Sequence, residues 1–136
     1  MRWLLILGLG LLSCGGGKER YFPDDGRIEV VNQLQPRPNS GIRNCRYIRA
    51  VYYDEELVRE VETLVPLGDR KILGADDPEY GSEGKLFRGG TVVSVRIVVI
   101  ESGTPAEDVK VYIDGNRSII VTGVVPQSGV IYYNVQ

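Results

Sequence analysis

The sequence predicts an all-β domain over residues 27–136, an antiparallel β-sandwich with immunoglobulin-like architecture. Two observations support this fold class. Apolar and polar residues alternate with a period of two in several short runs, which indicates strands with one buried face. Turn-forming residues separate these runs, helix signals are few and no internal repeat is present. The cysteine and tryptophan pattern of antibody domains is missing, so the prediction concerns architecture alone.

The first two predicted strands lie on either side of a proline-rich loop. Ile28 and Val30 alternate with Glu29 and predict the first strand, which residues 35–41 end because proline cannot donate to a strand ladder. Residues 45–54 predict the second strand. Its buried face is expected to comprise Ile48, Ala50 and Tyr52.

Residues 55–65 allow two interpretations. A helical stripe is formed by Leu57, Val58, Val61, Leu64 and Val65. Asp54 could cap such a helix. The β-branched residues of the same stretch favour a strand instead, and Asp54-Glu55-Glu56 could equally turn a β-hairpin. The sequence therefore leaves open a hairpin or one short helix near residues 55–65.

The end of the second strand resembles part of a known family. Val51-Tyr52-Tyr53-Asp54, followed by Val58, is similar to the strand and turn of the FxLYD-type β-sandwich domains found in exported bacterial proteins. The segment that follows departs from the spacing of that family. The resemblance therefore implies a β-sandwich fold and is confined to this stretch.

The longest irregular stretch, residues 74–90, follows a predicted short strand at residues 71–73 and concentrates acidic side chains in a loop. Calcium binds six to eight hard oxygen ligands, so these carboxylates are the candidate ligands of a calcium site. The candidates are Asp76, Asp77, Glu79 and Glu83. Their spacing does not match an EF-hand loop, so a solvated acidic loop is the simpler interpretation.

The second half of the chain predicts the remaining strands. Residues 91–100 alternate most regularly and are expected at the centre of the core, with apolar ends that suggest a partly covered second face. Residues 109–113 alternate again, and Asp114-Gly115 predicts a hairpin to the strand after it because these residues tolerate positive φ. Residues 130–135 close the domain and are expected to form an edge strand that can accept a strand from a partner.

The first fourteen residues have the order of a secretory signal peptide. Arg2 supplies one positive charge, residues 3–12 are uncharged, and Ser13-Cys14 follow. Leu11-Leu12-Ser13-Cys14 resembles the lipobox of bacterial lipoproteins. The resemblance implies that residues 1–13 are removed and that a diacylglyceryl group on Cys14 holds the protein to a lipid bilayer. Residues 14–26 would then form a flexible tether.

The residue after the cysteine bears on localisation. In bacteria with two membranes, lipoproteins with aspartate at that position tend to stay in the inner membrane. Gly15 therefore implies the outer membrane, with the domain facing the periplasm. Cys45 is the other cysteine of the chain, and a buried thiol is favoured over an intermolecular bridge because it leads directly into the second strand.

Composition excludes several function classes. The chain has no histidine, which removes histidine-dependent catalysis and the usual zinc sites. Sixteen basic and eighteen acidic residues leave no electrostatic footprint for nucleic acid. No cofactor is expected, and the acidic residues fall in turns and loops, where they offer no catalytic pair. The sequence therefore favours a protein that is not an enzyme.

Two functions remain from the sequence. The first is a membrane-anchored, non-catalytic lipoprotein of the cell envelope whose domain binds or positions another envelope protein. The second is a small-ligand or carbohydrate-binding module that uses Tyr53, Tyr112 and Tyr132, with or without calcium in the acidic loop.

Overall fold

The structure is a computed structural model that describes residues 24–35, 47–100, 104–125 and 130–136. Several predictions fall outside these ranges. They are the signal peptide at 1–13, the lipidation of Cys14, the tether up to residue 23, most of the proline-rich loop, and the burial of Cys45. These stay predictions. No helix among the described residues has the length and apolar character needed to cross a membrane.

Two four-stranded sheets pack against each other. The strands are β1 (Ile28–Asn32), β2 (Tyr47–Asp54), β3 (Arg59–Pro66), β4 (Arg70–Ile72), β5 (Val92–Val99), β6 (Glu107–Tyr112), β7 (Arg117–Val125) and β8 (Val130–Val135), with a single 3-10 turn at Gly81–Glu83 among the described residues. Sheet one has the order β4-β1-β7-β8, and sheet two has the order β3-β2-β5-β6. The predicted all-β sandwich is confirmed.

The connection between β6 and β7 differs from the prediction. Gly115 has a φ of 82°, as the turn signal at Asp114-Gly115 requires. The turn does not make a hairpin, however, because β6 pairs with β5 in sheet two while β7 pairs with β1 and β8 in sheet one. The turn residues determine the backbone conformation of the turn, with positive φ at Gly115. They do not determine which strand pairs with the strand that follows. The chain therefore crosses from one sheet to the other at this turn.

Sheet one is not purely antiparallel. β1 pairs in parallel with β7, from Ile28 opposite Arg117 to Asn32 opposite Val121. All other strand pairs are antiparallel. Because β7 starts at the same end of the sandwich as β1, the crossing at Gly115 leaves the two strands running in the same direction.

Alternating side chains from both sheets form one core. The predicted inner faces of the first, second, fifth and sixth strands are confirmed. The core includes Ile28, Val30, Ile48, Ala50, Tyr52, Val95, Ile97, Val99, Val109, Val111, Ile119 and Val121. β5 lies inside sheet two between β2 and β6. Its second face is less covered than expected at one end, where Val92 is 62% exposed.

The ambiguity at residues 55–65 is resolved as a hairpin, so the helical alternative is wrong. β2 and β3 pair over eight residues each, and the pairing ends at Asp54 opposite Arg59. The β-branched residues of β3, Val61, Thr63 and Val65, are all buried and alternate with exposed Glu62 and Leu64, as a pleated strand with one inner face requires. The turn ends at Val58, whose φ of 56° is a conformation that β-branched residues rarely adopt.

The first described residues, Asp24 to Gly26, already belong to the sandwich. The amide of Gly115 donates to the carbonyl of Asp24 at 2.8 Å, and the amide of Gly89 donates to Oδ1 of Asp25 at 2.7 Å. Gly26 exchanges two backbone hydrogen bonds with Phe87. The segment from Asp24 to Gly26 is therefore held against the loops at one end of the sandwich.

At the opposite end, Asn32 links the two sheets. Its side chain is fully buried, and Nδ2 donates to the carbonyl of Val65 in sheet two at 2.9 Å. Its Oδ1 accepts a hydrogen bond from the amide of Leu34 at 3.1 Å. Buried polar groups need such partners because an unsatisfied one costs the full desolvation penalty.

We expect Asn32→Ala to lower the free energy of unfolding by about 2 kcal/mol, because the carbonyl of Val65 and the amide of Leu34 lose a buried partner. Urea unfolding followed by circular dichroism measures the change. Gln33→Ala is the matched control, since Gln33 is the next residue and its side chain is exposed. Equal effects of the two substitutions would contradict this role of Asn32.

Candidate functional site

The described residues contain one buried cluster of ionisable groups, where the loop at residues 73–91 packs on the β2–β3 hairpin. Asp54 is the last residue of β2, and its carboxylate is 1% exposed. It lies on the same face of β2 as Ile48, Ala50 and Tyr52. Because the strand ends there, the carboxylate meets the loop and not the centre of the core.

Asp54 accepts hydrogen bonds from two directions. On its own hairpin, the amides of Glu56 and Leu57 donate to Oδ1, both at 3.0 Å. The hydroxyl of Tyr52 donates to Oδ2 at 2.9 Å, and the hydroxyl of Tyr80 in the loop makes a short hydrogen bond to the same oxygen. The carboxylate therefore closes the β2–β3 turn and fixes the loop to it.

Lys85 completes what we call the Asp54 network, which consists of Tyr52, Asp54, Glu56, Tyr80 and Lys85. Nζ of Lys85 lies 4.0 Å from Oδ2 of Asp54 and 2.9 Å from Oε1 of Glu56. It also lies 5.2 Å from the ring centroid of Tyr80. This position places a positive charge over the buried carboxylate.

The surroundings of Asp54 favour its ionised form. Burial alone opposes ionisation, but the hydrogen bonds from Tyr80, Leu57 N–H and Tyr52, together with Lys85, lower the pKa of Asp54 below its ordinary value. Burial, and then the hydrogen bond to Asp54, raises the pKa of Tyr52 and of Tyr80. Both tyrosines therefore stay protonated and donate to the carboxylate.

A second carboxylate holds the same loop. Asp77 makes a bidentate contact with Arg59 of β3, with Oδ2 at 2.8 Å from Nη1 and Oδ1 at 3.1 Å from Nη2. Oδ1 also accepts a hydrogen bond from the amide of Glu79 at 2.9 Å. The hydrogen bond from Arg59, and then the one from the Glu79 amide, lowers the pKa of Asp77.

The calcium candidates do not converge on one point in the structure. Asp77 pairs with Arg59, Asp76 pairs with Lys71 at 3.2 Å, and Glu83 lies 3.6 Å from Arg27. The fourth candidate, Glu79, contributes its amide to Asp77. Among the described residues, no group of three or more acidic, cysteine or histidine side chains is arranged to hold a metal ion.

The Asp54 network has the chemistry of a structural site. The carboxylate is almost completely buried, and its two oxygens accept hydrogen bonds from four donors of the chain itself. A substrate would have to displace these partners to reach it. The Asp54 network therefore holds the loop at residues 73–91 against the β2–β3 hairpin.

The three candidate ligand-binding tyrosines are all exposed, with exposed fractions between 54 and 57%. Tyr53 and Tyr112 lie on the outer face of sheet two, whereas Tyr132 lies on the outer face of sheet one. The structure therefore does not bring all three onto a single surface.

The outer face of sheet two also carries an apolar patch at the end away from Asp24. Tyr47 is 46% exposed and Leu64 is 43% exposed, and Leu67 in the turn after β3 is 37% exposed. The strand register connects them, since Tyr47 lies opposite Pro66 and Arg49 lies opposite both Leu64 and Val98. We call this surface the distal patch. It comprises Tyr47, Leu64, Pro66, Leu67, Val98 and Ile100.

The four edge strands differ in their charges. β3 carries Arg59, Glu60 and Glu62, β4 carries Arg70 and Lys71, and β6 carries Glu107, Asp108 and Lys110. β8 has no charged residue over its whole length. β8 lies at one end of the strand order of sheet one, which confirms the predicted position of residues 130–135 at a sheet edge. Charged residues discourage unwanted pairing at an edge, and β8 lacks this protection.

Sequence reasoning missed the role of Asp54. It treated Asp54 only as a turn or cap residue, which describes the bonds to Glu56 and Leu57. The period of β2 carried the missing signal, because Asp54 has the same parity as Tyr52 and therefore falls on the buried face. Its partners Tyr80 and Lys85 lie 26 and 31 residues after Asp54 in the sequence. No local pattern identifies them as partners of this carboxylate.

The described residues define the class of this protein as a two-sheet β-sandwich in which β8 is an uncharged edge strand and the distal patch is exposed. No family model, no curated protein and no solved structure matches the chain. The resemblance of residues 51–58 to FxLYD-type domains stays a prediction.

Proposed function

We propose that this chain is a lipid-anchored, non-catalytic lipoprotein of the bacterial cell envelope whose sandwich binds another envelope protein through the distal patch. The observation that carries the binding role is the exposure of Tyr47, Leu64 and Leu67 near one another at one end of the outer face of sheet two. Exposed apolar patches with a polar rim are typical of protein interaction sites.

The lipobox-like residues Leu11 to Cys14 support the anchor. A diacylated cysteine supplies two acyl chains, which is what stable membrane attachment needs. Residues 15–23 would then link the lipid to Asp24. The outer membrane is the proposed location because Gly15 follows the cysteine, and the sandwich would face the periplasm.

The place where the chain joins the sandwich supports a protein partner for the distal patch. Asp24 binds Gly115 at the end where β5 begins, whereas Tyr47 accepts a hydrogen bond from Ile100 at the end where β5 has finished. Eight residues of strand span about 25 Å. The distal patch is thus on the far side of the domain from the proposed anchor, where periplasmic proteins and not the anchoring bilayer would reach it.

Photo-crosslinking tests the binding role. With benzoylphenylalanine at Leu64 in cells that express the full chain, we expect one reproducible crosslinked protein. The control is the same residue at Tyr53, which is more exposed than Leu64 and lies on the same sheet face near its other end. Leu64→Glu should abolish co-purification of that protein, because a charge on the patch must be desolvated on binding. Equal crosslinking from both positions would contradict the proposal.

Intact mass of the membrane-extracted protein tests the anchor separately. We expect a mass for residues 14–136 with acyl chains, and we expect Cys14→Ala to leave the membrane fraction. A wild-type chain that retains residues 1–13 and carries no lipid would overturn the anchor without deciding the role of the distal patch.

A further inference from the structure

β8 has a regular inner and outer face although its neighbour is irregular. The register shift in this pair lies in β7, between Val121 and Gly123. On β8 itself, Ile131 is buried and Tyr133 and Val135 pack against the core, whereas Tyr132 and Asn134 are exposed. The strand therefore offers an incoming strand an apolar inner face and an uncharged outer face.

The hydrogen bonds to β7 show which backbone groups of β8 point to the open edge. Ser118 and Gln136 exchange two hydrogen bonds of 2.8 Å, so they form a hydrogen-bonded pair. Such pairs alternate with non-bonded ones in an antiparallel ladder. The backbone groups of Val135 and Tyr133 therefore make no hydrogen bonds to β7. By the same alternation, the N–H and C=O groups of Ile131, Tyr133 and Val135 point away from β7, to the open edge.

The strand is complementary to a second copy of itself. In an antiparallel pairing with Tyr133 on the two-fold axis, Ile131 meets Val135 of the second copy, and Tyr132 meets Asn134. Apolar residues then face apolar residues on the inner side, and no charged residues oppose each other. A two-fold contact of this kind is self-complementary and closes after two copies.

We propose that β8 pairs with β8 of a second copy of this chain in this register, which joins the two copies of sheet one into a continuous eight-stranded sheet. β6, on the same side of the sandwich, carries Glu107, Asp108 and Lys110, so the charge that it adds near the proposed contact is a net −1 per copy. The two-fold axis is normal to sheet one. Where that axis lies along the bilayer normal, both proposed anchors reach the same leaflet.

Disulfide trapping tests the pairing and its register. In the Cys45→Ser chain, Tyr132→Cys combined with Asn134→Cys should give disulfide-linked dimers after mild oxidation of intact cells. The two positions would form a non-bonded antiparallel pair with Cα atoms about 4.5 Å apart, which is within the range that a disulfide spans. Either single substitution should give about tenfold less dimer. The two cysteines then occupy the same position in each copy, and in this register the same position forms a diagonal pair about 7 to 8 Å apart.

The matched control is Ser94→Cys combined with Arg96→Cys, two exposed positions with the same spacing on the interior strand β5. Dimer yields no greater than this control, or equal yields from the single and double β8 variants, would overturn the proposal. A Cys14 without lipid would add the same background of dimers to the β8 variants and to the β5 control. The comparison with that control therefore stays valid if the lipid anchor or the distal patch fails.

Proline substitution gives a second, disulfide-free measurement. The N–H of Val135 faces the open edge, so Val135→Pro leaves the ladder to β7 intact but blocks an added strand. We expect the detergent-extracted wild-type chain to sediment as a dimer and the Val135→Pro chain as a monomer with an unchanged circular dichroism spectrum. A monomeric wild-type chain would overturn the proposal.

Discussion

Asp54→Asn should lower the free energy of unfolding at neutral pH by about 3 kcal/mol, which is among the largest effects of any exchange of similar size in this chain. Asp54 receives four hydrogen bonds and lies 4.0 Å from the charge of Lys85. An asparagine keeps one acceptor oxygen for the amides of Glu56 and Leu57. It presents an amide to the two tyrosine hydroxyls, and the charge that strengthens all four bonds is lost.

The pH dependence of unfolding isolates the contribution of the charge. The pKa of Asp54 is lowered in the folded state, so the unfolded chain binds a proton first as the pH falls. The stabilisation is fully present above about pH 4, the ordinary value for aspartate, and disappears as the pH falls through the lower folded-state pKa. Urea unfolding from pH 7 to pH 2 should therefore show the wild-type and Asp54→Asn curves converging at acid pH.

Asp108→Asn is the control for this comparison, because Asp108 is an exposed carboxylate on β6. Its effect should stay within about 0.5 kcal/mol at neutral pH. A loss of stability in Asp54→Asn that is the same at pH 2 as at pH 7 would show that the carboxylate charge does not hold the loop.

Gly26→Ala should destabilise the fold by about 3 kcal/mol, because a Cβ at this position has no room. It would lie 2.0 Å from the carbonyl oxygen of Gly115 and 2.5 Å from the amide nitrogen of Asn116. Both neighbours are backbone atoms and cannot rotate away. The strain must therefore displace either the segment at residues 24–26 or the turn that carries the chain from β6 to β7.

Gly123→Ala separates this steric effect from the general cost of replacing a glycine. Neither position has a positive φ, and a Cβ at Gly123 would only make an ordinary contact of 3.6 Å with the ring of Tyr132. We expect a change within about 0.5 kcal/mol there, measured by urea unfolding. If the two alanine variants unfold at the same denaturant concentration, the close approach of Gly26 to Gly115 is not required.

The fold class follows from the sequence because buried and exposed residues alternate with a period of two in almost every strand. Ile48, Ala50 and Tyr52 in β2 and Val95, Ile97 and Val99 in β5 are buried as their spacing indicates. Burial of alternate residues depends only on local backbone geometry and on the presence of a core. The pairing of strands depends on contacts between distant segments, and for that reason Asp114-Gly115 was misread as a hairpin.

The candidate site could be predicted less well, for a related reason. The acidic loop was identified from composition, but three of its four candidate carboxylates pair with Arg59, Lys71 and Arg27, which come from separate parts of the chain. Paired charges of this kind look the same in a sequence as metal ligands do. The edge position of β8 depends on which strands pair, and the absence of charge on β8 does not indicate it.

The parallel pair of β1 and β7 determines the order in which the domain can be completed. Glu29 and Ser118, neighbours in this pair, are 89 residues apart. β2 and β3 need only close a short turn, whereas the middle of sheet one must wait until nearly the whole chain is present, since contacts between distant segments form slowly. A ribosome-bound or partly translocated chain that ends before β7 thus holds β1 without a neighbour on that side. The middle of sheet one can therefore close only after the chain from Arg117 onward is present, whereas all four strands of sheet two precede that residue.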